Sequence, residues 1–316
     1  MTGPAGTASG GGAGRIRSAN IREVGPRDGF QNEPEVIPTA VKVELINALA
    51  RTGLRRLELT SFVRADVIPQ LADAAEVLQA VAIPDGVSRS VLIPNERGLD
   101  HALALREHFD EINVFLSASE AHNRHNVNRG VAESLAGLEL VLPRAHAAGL
   151  RCEAVISVAF GCPYEGRVAP ARVFEIAERL VAAGAREIGF GDTTGMANPV
   201  QVGEFFAAAA QRLPGIELTA HFHNTRGQGL ANVFAALQAG VDSFESSFGE
   251  LGGCPFPPGA TGNVATEDVV SMLHESGVET GIDLPALLWC SRAVREQLGR
   301  PLGSHTLLAG PVDWHR

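Results

Sequence analysis

The sequence predicts an α/β fold, a (β/α)8 TIM barrel with extra C-terminal helices. From Ile21 onward, short apolar segments alternate with longer amphipathic segments, and this pair of segments repeats eight times. Most amphipathic segments end at a glycine, which favours a left-handed helix cap: Gly53, Gly149, Gly184, Gly240 and Gly277. A chain of 316 residues that is 45% hydrophobic also has enough apolar side chains for a large core.

The predicted strands and helices alternate along the chain. We place the strands at Ile21–Val24, Arg56–Leu59, Ser88–Leu92, Glu111–Phe115, Glu153–Val158, Glu187–Phe190, Glu217–His221 and Ser243–Glu245. We place the helices near 40–52, 69–80, 95–108, 130–148, 170–184, 198–212, 228–240 and 266–276, with more between 283 and 299. This division predicts a flexible Gly/Ala-rich tail at 1–18, a catalytic barrel at 19–282 and a helical extension at 283–316.

Charge and apolar patterns exclude several classes of protein. The net charge is −10 and no basic stripe is present, which argues against a nucleic-acid partner. No apolar run approaches the roughly 18–20 residues that span a bilayer, so we expect no membrane partner. The four cysteines are widely spaced without a C-x-x-C pair, which predicts neither a disulfide framework nor a cysteine-built zinc site. We therefore expect a reducing, cytoplasmic location.

Lysine usage excludes one kind of catalysis. Lys42 is the only lysine of the chain, and it lies in an ordinary amphipathic helix. Because a Schiff base with a carbonyl substrate requires a lysine in the site, any carbon–carbon chemistry must use a metal or acid–base groups instead.

Polar residues follow the strands at their C-terminal ends, where the working residues of such barrels lie. They are Arg27 and Asp28 after strand one, Glu58, Thr60 and Ser61 at strand two, Asp192 at strand six, and His221 and His223 at strand seven. Strand eight runs into the loop Phe248–Asn263. At roughly fifteen residues this loop is far longer than the usual strand–helix connection of about 2–6 residues. It is consistent with a mobile lid that carries the Cys254 thiol, or with an Ω-loop around a structural cysteine.

His221 and His223 are two residues apart on a strand, so their side chains project from the same face. A hydrogen-bonded histidine pair is one interpretation, and a divalent metal site is the other. Asp28 and Asn263, expected at the same rim, supply oxygen ligands and favour the metal. Imidazole with carboxylate and amide oxygens suits Mg²⁺ or Mn²⁺, with Zn²⁺ as an alternative.

Arg27 beside Asp28 is consistent with a surface ion pair, or with a cation that holds charge developing on an oxygen. Glu58 and Asp192 are consistent with groups that orient a histidine or arginine, or with paired acids of the barrel mouth.

Four motifs carry a resemblance to a known family. They are V-G-P-R-D-G-F-Q-N-E, E-L-T-S-F-V, H-F-H-N-T-R-G-Q-G-L-A-N and G-G-C-P-F-P-P-G-A-T-G-N. They occur in order between Ile21 and Leu273, and together they resemble the 3-hydroxy-3-methylglutaryl-CoA lyases. These belong to a wider group of metal-dependent barrels that includes isopropylmalate and homocitrate synthases, and the cysteine loop is specific to the lyase branch.

The resemblance implies a role for each position. Asp28, His221, His223 and Asn263 would bind the metal, Arg27 would stabilise an enolate, and Cys254 would be the catalytic thiol, with Glu58 and Asp192 as supporting acids. His221 or Asp28 would be the base. The substrate would be an acyl-CoA, the assembly a homo-oligomer such as a dimer, and the context leucine degradation and ketone-body formation.

Three residues depart from the family pattern. Glu250 replaces a glycine at the root of the cysteine loop, Asn224 replaces an aspartate, and Arg226 replaces a frequent tyrosine. These departures leave open a lyase for a longer branched 3-hydroxyglutaryl-CoA, such as 3-hydroxy-3-isohexenylglutaryl-CoA. The wider group leaves open an aldol-type synthase that condenses acetyl-CoA with a 2-oxo acid.

Overall fold

The chain folds into a closed barrel of eight parallel strands in a computed structural model that describes residues 16–252 and 262–314. Each strand pairs with the next along the chain, and the eighth pairs with the first. The strands are β1 (Asn20–Glu23), β2 (Arg56–Ser61), β3 (Ser88–Leu92), β4 (Glu111–Ser117), β5 (Arg151–Ser157), β6 (Glu187–Asp192), β7 (Glu217–Phe222) and β8 (Ser243–Ser246). The predicted barrel and its strand order are therefore confirmed.

Helices surround this barrel. Within the described residues the α-helices are α1 (Thr39–Leu49), α2 (Ala74–Ala80), α3 (Glu96–Leu103), α4 (Glu120–Val127), α5 (Val131–Ala147), α6 (Pro170–Ala183), α7 (Pro199–Arg212), α8 (Gly229–Gln238), α9 (Thr266–Glu275), α10 (Leu284–Leu298) and α11 (His305–Ala309). Helices α10 and α11 lie in the predicted C-terminal extension. Residues 1–15 of the predicted tail lie outside the described residues.

Helix α4 is absent from the predicted elements, because its sequence is mostly polar and lacks the apolar spacing of an amphipathic helix. Its ends are fixed locally instead. The Ser119 hydroxyl accepts a hydrogen bond from the His122 amide, and Asn128 closes the helix with a φ of 55°. Asn123 is buried and accepts a hydrogen bond from the Ser117 amide at 2.9 Å. Side-chain capping therefore compensates for the weak apolar pattern.

The N-terminal end of the barrel is filled by charged side chains. Arg22 of β1 is 1% exposed and donates to Glu111 at 3.1 Å. Arg56 of β2 donates to Glu187 at 2.6 Å. These pairs join β1 to β4 and β2 to β6 at this end of the barrel. Removing one partner of a pair would leave an uncompensated buried charge.

Apolar packing lies between the strands and the surrounding helices, and it includes fully buried Ile112, Val141, Phe206 and Val269. Within residues 16–252 and 262–314, the helices are too short or too polar to cross a membrane. The opposite, C-terminal ends of the strands carry the candidate site.

Candidate active site

Arg27 and Asp28 lie in a tight helical turn, Gly25–Gly29, that follows β1 directly. Both side chains are buried, and an Arg27 Nη1 donates to Asp28 Oδ1 at 2.6 Å. Arg27 Nε donates to Glu58 Oε2 at 2.6 Å. The Arg27–Asp28 contact is therefore a buried ion pair rather than a surface pair. Of the two roles considered for Glu58, orienting the arginine fits this contact.

The two histidines meet Asp28 at the same rim. His221 lies near the end of β7, and His223 follows the strand, with their ring centroids 5.2 Å apart. One ligand atom from each histidine and one from Asp28 lie within 4.8 Å of one another. Two nitrogens and a carboxylate oxygen at this spacing can share one divalent cation.

Asn263 joins this group through its backbone and its side chain. Its backbone forms a bridge with His223, and its side-chain Nδ2 donates to Asp28 Oδ2 at 2.7 Å. Its Oδ1 is buried and accepts no hydrogen bond among the described residues. Because a buried acceptor without a partner is costly, this oxygen fits a site that holds a cation. The four residues predicted as ligands are therefore brought together.

The charge state of Asp28 agrees with a role in binding a cation. Burial by itself raises the pKa of Asp28, but the charges of Arg27, His221 and His223 and the Asn263 hydrogen bond outweigh burial. The pKa of Asp28 consequently lies below its ordinary value, and the side chain is an anionic oxygen donor at neutral pH.

Gly252 allows the described end of the loop to approach this group closely. Its φ is +93°, and a Cβ at this position would lie 2.6 Å from Asn263 Nδ2 and 3.0 Å from Asp28 Oδ2. Only glycine fits both the backbone conformation and the space.

Glu245 of β8 is a member of the site that the sequence reasoning missed. His221 Nδ1 and Glu245 Oε2 are 2.9 Å apart, and Glu245 is 2% exposed. Burial lowers the pKa of His221, but the hydrogen bond and charge of Glu245 outweigh burial and raise it above its ordinary value. The only sequence signal is an acidic residue inside a short predicted strand, and its partner depends on the register that pairs Glu245 with His221.

Asp192 lies at the end of β6 and is fully buried. Its carboxylate accepts hydrogen bonds from the backbone amides of Met196 and Ala197. Burial raises the pKa of Asp192 to about 7. These hydrogen bonds hold the loop after β6. Within the described residues, the hydrogen bonds of Asp192 therefore orient the backbone of this loop rather than a histidine or arginine side chain.

Cys254 lies outside the described residues, so its predicted place in the site stays a prediction. Three other cysteines are free and buried: Cys152, Cys162 and Cys290. Burial raises the pKa of Cys152 and that of Cys290 to about 12, which makes both thiols unreactive near neutral pH.

A family model described as HMGL-like matches residues 18–294. The chain belongs to the HMGL-like family. It is 45% identical to a hydroxymethylglutaryl-CoA lyase of Bacillus subtilis, with 92% of this chain and 97% of the relative covered. It is 43% identical to the hydroxymethylglutaryl-CoA lyase of Pseudomonas mevalonii, with 93% and 97% covered.

Solved structures are similar to this HMGL-like chain over nearly its whole length. An HMG-CoA lyase from Acinetobacter baumannii, in complex with coenzyme A and 3-methylmalate, superposes with a TM-score of 0.89 at 40% identity, covering 95% of this chain and 97% of that one. The carboxyl transferase domain of Rhizobium etli pyruvate carboxylase, at 19% identity and a TM-score of 0.66, covers 92% of this chain and 50% of that one and shows a shared fold alone.

The three departures from the family pattern lie around the mouth of this HMGL-like barrel. Glu250 is buried and adopts a φ of 63°, a conformation that favours glycine, and Asn224 Nδ2 lies 3.5 Å from its Oε2. Arg226 Nη1 donates to the carbonyls of Thr194 and Gly195 at 2.8 Å. Asn224 and Glu250 therefore contact each other, whereas Arg226 braces the loop after β6.

Asn95 follows β3, and the segment 122–128 follows β4. Asn95 caps α3 by accepting a hydrogen bond from the Gly98 amide. In the 122–128 segment, His122 is buried against the Ser117 hydroxyl, with Nδ1 and Oγ 2.6 Å apart.

Proposed function

We propose that this chain is a divalent-metal-dependent lyase that cleaves 3-hydroxy-3-methylglutaryl-CoA to acetyl-CoA and acetoacetate. One observation carries the proposal: the Asp28, His221, His223 and Asn263 donors lie beside the buried Arg27–Glu58 pair at the mouth of the barrel. A cation site next to a fixed guanidinium suits a reaction in which negative charge develops on two neighbouring oxygens.

Mg²⁺ or Mn²⁺ is the cation we propose, with Zn²⁺ as an alternative. Asp28, His221, His223 and Asn263 would hold it, and oxygen donors beside imidazole without thiolates support that choice. A cation bound there supplies Lewis acidity, which makes a coordinated hydroxyl easier to deprotonate.

The reaction is a retro-Claisen cleavage. The tertiary hydroxyl of the substrate loses its proton to a base at the rim, either His221 or Asp28. The C2–C3 bond then breaks, its electrons pass to the thioester as an enolate, and the hydroxyl carbon becomes the ketone of acetoacetate. Arg27 stabilises the enolate oxygen, and Cys254 donates a proton to the enolate carbon to complete acetyl-CoA.

The substrate class rests on the relatives. The structure from Acinetobacter baumannii is described with coenzyme A, which supports an acyl-CoA as the substrate here. The relatives reported above are named as lyases, which favours cleavage over condensation by a synthase. The names of these relatives also favour the hydroxymethylglutaryl substrate over a longer branched one.

We also propose a homodimer that works in the cytoplasm, in the breakdown of leucine and the formation of ketone bodies. The free, buried thiols Cys152, Cys162 and Cys290 suit a reducing compartment. Light scattering on the purified protein measures the assembly directly, and a monomeric mass would contradict the dimer.

The deciding experiment follows acetoacetate and acetyl-CoA release from 3-hydroxy-3-methylglutaryl-CoA, with Mg²⁺ or Mn²⁺ and again after chelation. We expect release with metal, loss on chelation and recovery when metal is restored. No release by the folded, metal-loaded protein would contradict the substrate. Undiminished release after complete metal removal would contradict the metal.

A further inference from the structure

Glu245 lies between His221 and the charged side chains at the N-terminal end of the barrel. Its Oε2 is 2.9 Å from His221 Nδ1, and its Oε1 accepts a hydrogen bond from Arg22 Nη1 at 3.0 Å. Glu245 is 2% exposed and Arg22 is 1% exposed. Both carboxylate oxygens are therefore engaged, and neither residue has room to turn away.

This contact decides which nitrogen of His221 carries the proton. A neutral imidazole has one N–H and one nitrogen with a free lone pair, and a carboxylate can only accept. Nδ1 must therefore carry the hydrogen toward Glu245, and the lone pair is left on Nε2. Nε2 is the ring nitrogen that remains to act with Asp28 and His223.

We propose that Glu245 is a positioning residue that holds His221 in its Nδ1–H form, so that the Nε2 lone pair serves the cation site. The proposal rests on the metal-dependent function proposed above. It also narrows that function, because a His221 with Nδ1 on Glu245 and Nε2 on a cation has no nitrogen left to act as a base. The hydroxyl proton is then not taken by His221.

Arg22 makes the proposal testable by a single substitution. Arg22 Nη1 is a donor, so the group that faces it at position 245 must be an acceptor oxygen. In the Glu245→Gln variant the amide oxygen therefore faces Arg22 and the amide NH2 faces His221. Nδ1 must then accept, which moves the imidazole proton to Nε2 and removes the lone pair from the cation site.

The matched control is Glu111→Gln. Glu111 is also buried and also accepts a hydrogen bond from Arg22, at 3.1 Å, and its hydrogen-bond partners within the described residues are arginines and Ser88 rather than His221. The Glu111→Gln substitution removes one carboxylate charge from beside the same arginine while leaving Glu245 in place. A Glu245→Asp variant is the second test, since it keeps a carboxylate on a shorter side chain.

The experiment has two readouts on full-length protein. At a pH high enough to keep His221 neutral, nitrogen NMR of ¹⁵N-histidine-labelled protein without metal reports the tautomer of His221, and calorimetric titration with Mn²⁺ reports the affinity for Mn²⁺. We expect Nδ1–H in the parent and in Glu111→Gln, and Nε2–H in Glu245→Gln. We expect Mn²⁺ affinity to fall by about 10–100-fold in Glu245→Gln, the usual range for loss of a residue that orients a ligand. Glu245→Asp should recover part of that loss.

An Nε2–H tautomer in the parent would overturn the proposal, and so would parent-like Mn²⁺ affinity in a folded Glu245→Gln variant. Failure of the proposed function looks different. If the parent binds no Mn²⁺, the metal site is wrong, while the tautomer of the parent still decides whether Glu245 positions His221.

Discussion

Glu58 Oε2 lies 2.6 Å from Arg27 Nε, and this buried contact fixes the plane of the guanidinium at the barrel mouth. The same guanidinium donates to Asp28 through Nη1 at 2.6 Å. Two carboxylates, one on β2 and one in the turn after β1, thus leave Arg27 little freedom to rotate. A guanidinium fixed in this way can stabilise a developing oxyanion without reorganising during the reaction.

Substituting Glu58 with glutamine should lower turnover and leave cation affinity nearly unchanged, because Glu58 orients Arg27 and is not among the predicted ligands. Misplacing a catalytic group by about 1 Å can cost about 100-fold in rate, which sets the upper range of the loss. Steady-state kinetics and Mn²⁺ titration measure the two quantities. Glu217→Gln is the control, since Glu217 pairs with Arg56 and Arg151 at the other end of the barrel. An equal loss of activity in the control would contradict a specific role for Glu58.

Replacing Asn263 with alanine should weaken Mn²⁺ binding by about 10–100-fold or more, because the change removes Oδ1 and also the hydrogen bond to Asp28. Asn232→Ala provides the comparison. Asn232 is equally buried, and its Oδ1 also accepts no hydrogen bond from the part of the chain that the structure describes, but Asn232 lies on α8 and donates to the Ala197 carbonyl. Equal effects on Mn²⁺ affinity in the two variants would argue that Asn263 acts through general stability.

Cys254→Ala should reduce turnover by about 10²–10⁴-fold, the usual contribution of a positioned proton donor or acceptor. Mn²⁺ affinity should stay close to that of the parent. Cys152→Ala should keep its activity, because Cys152 is buried and its pKa is about 12. Alkylation by iodoacetamide near pH 8 should inactivate the parent, with the label found on Cys254 by mass spectrometry. Comparable losses of turnover and metal affinity in Cys254→Ala would mean that the thiol is structural.

Glu23 should make the stability of the protein fall as pH rises. Its buried carboxylate accepts hydrogen bonds from Thr266 Oγ1 at 2.6 Å and from the Gly25 amide at 2.7 Å. Burial raises the pKa of Glu23 from 4.5 to about 8. Between these values the unfolded chain releases its proton while the folded chain keeps it, so the stability contributed by the neutral acid is full below pH 4.5 and is lost by about pH 8.

The Glu23→Gln variant tests this dependence, since glutamine stays neutral at every pH. The melting temperature of the variant relative to the parent should increase steadily across that interval and level off beyond it. Glu44→Gln, at an exposed position of α1, should show no such trend. A difference between the Glu23→Gln variant and the parent that does not change with pH would show that Glu23 is ionised in the folded protein.

The pattern of the sequence predicted the barrel and the rim positions of its polar residues. Alternation of apolar and amphipathic segments reports local backbone preference, and Arg27, Asp28, Asp192 and His221 lie where their own strands end. The short helix α4 escaped prediction because its stability comes from capping and from the burial of Asn123.

The sequence by itself therefore determined the alternation of strands and helices, the chemical types of the candidate ligands and the family motifs, because each of these is set within a local segment of the chain. Only the tertiary structure decided which groups touch. Asn263 reaches Asp28 across 235 residues, and Glu245 reaches His221 across 24. Such contacts depend on strand register and barrel closure, and these are fixed by the packing of the whole chain rather than by any one segment of it.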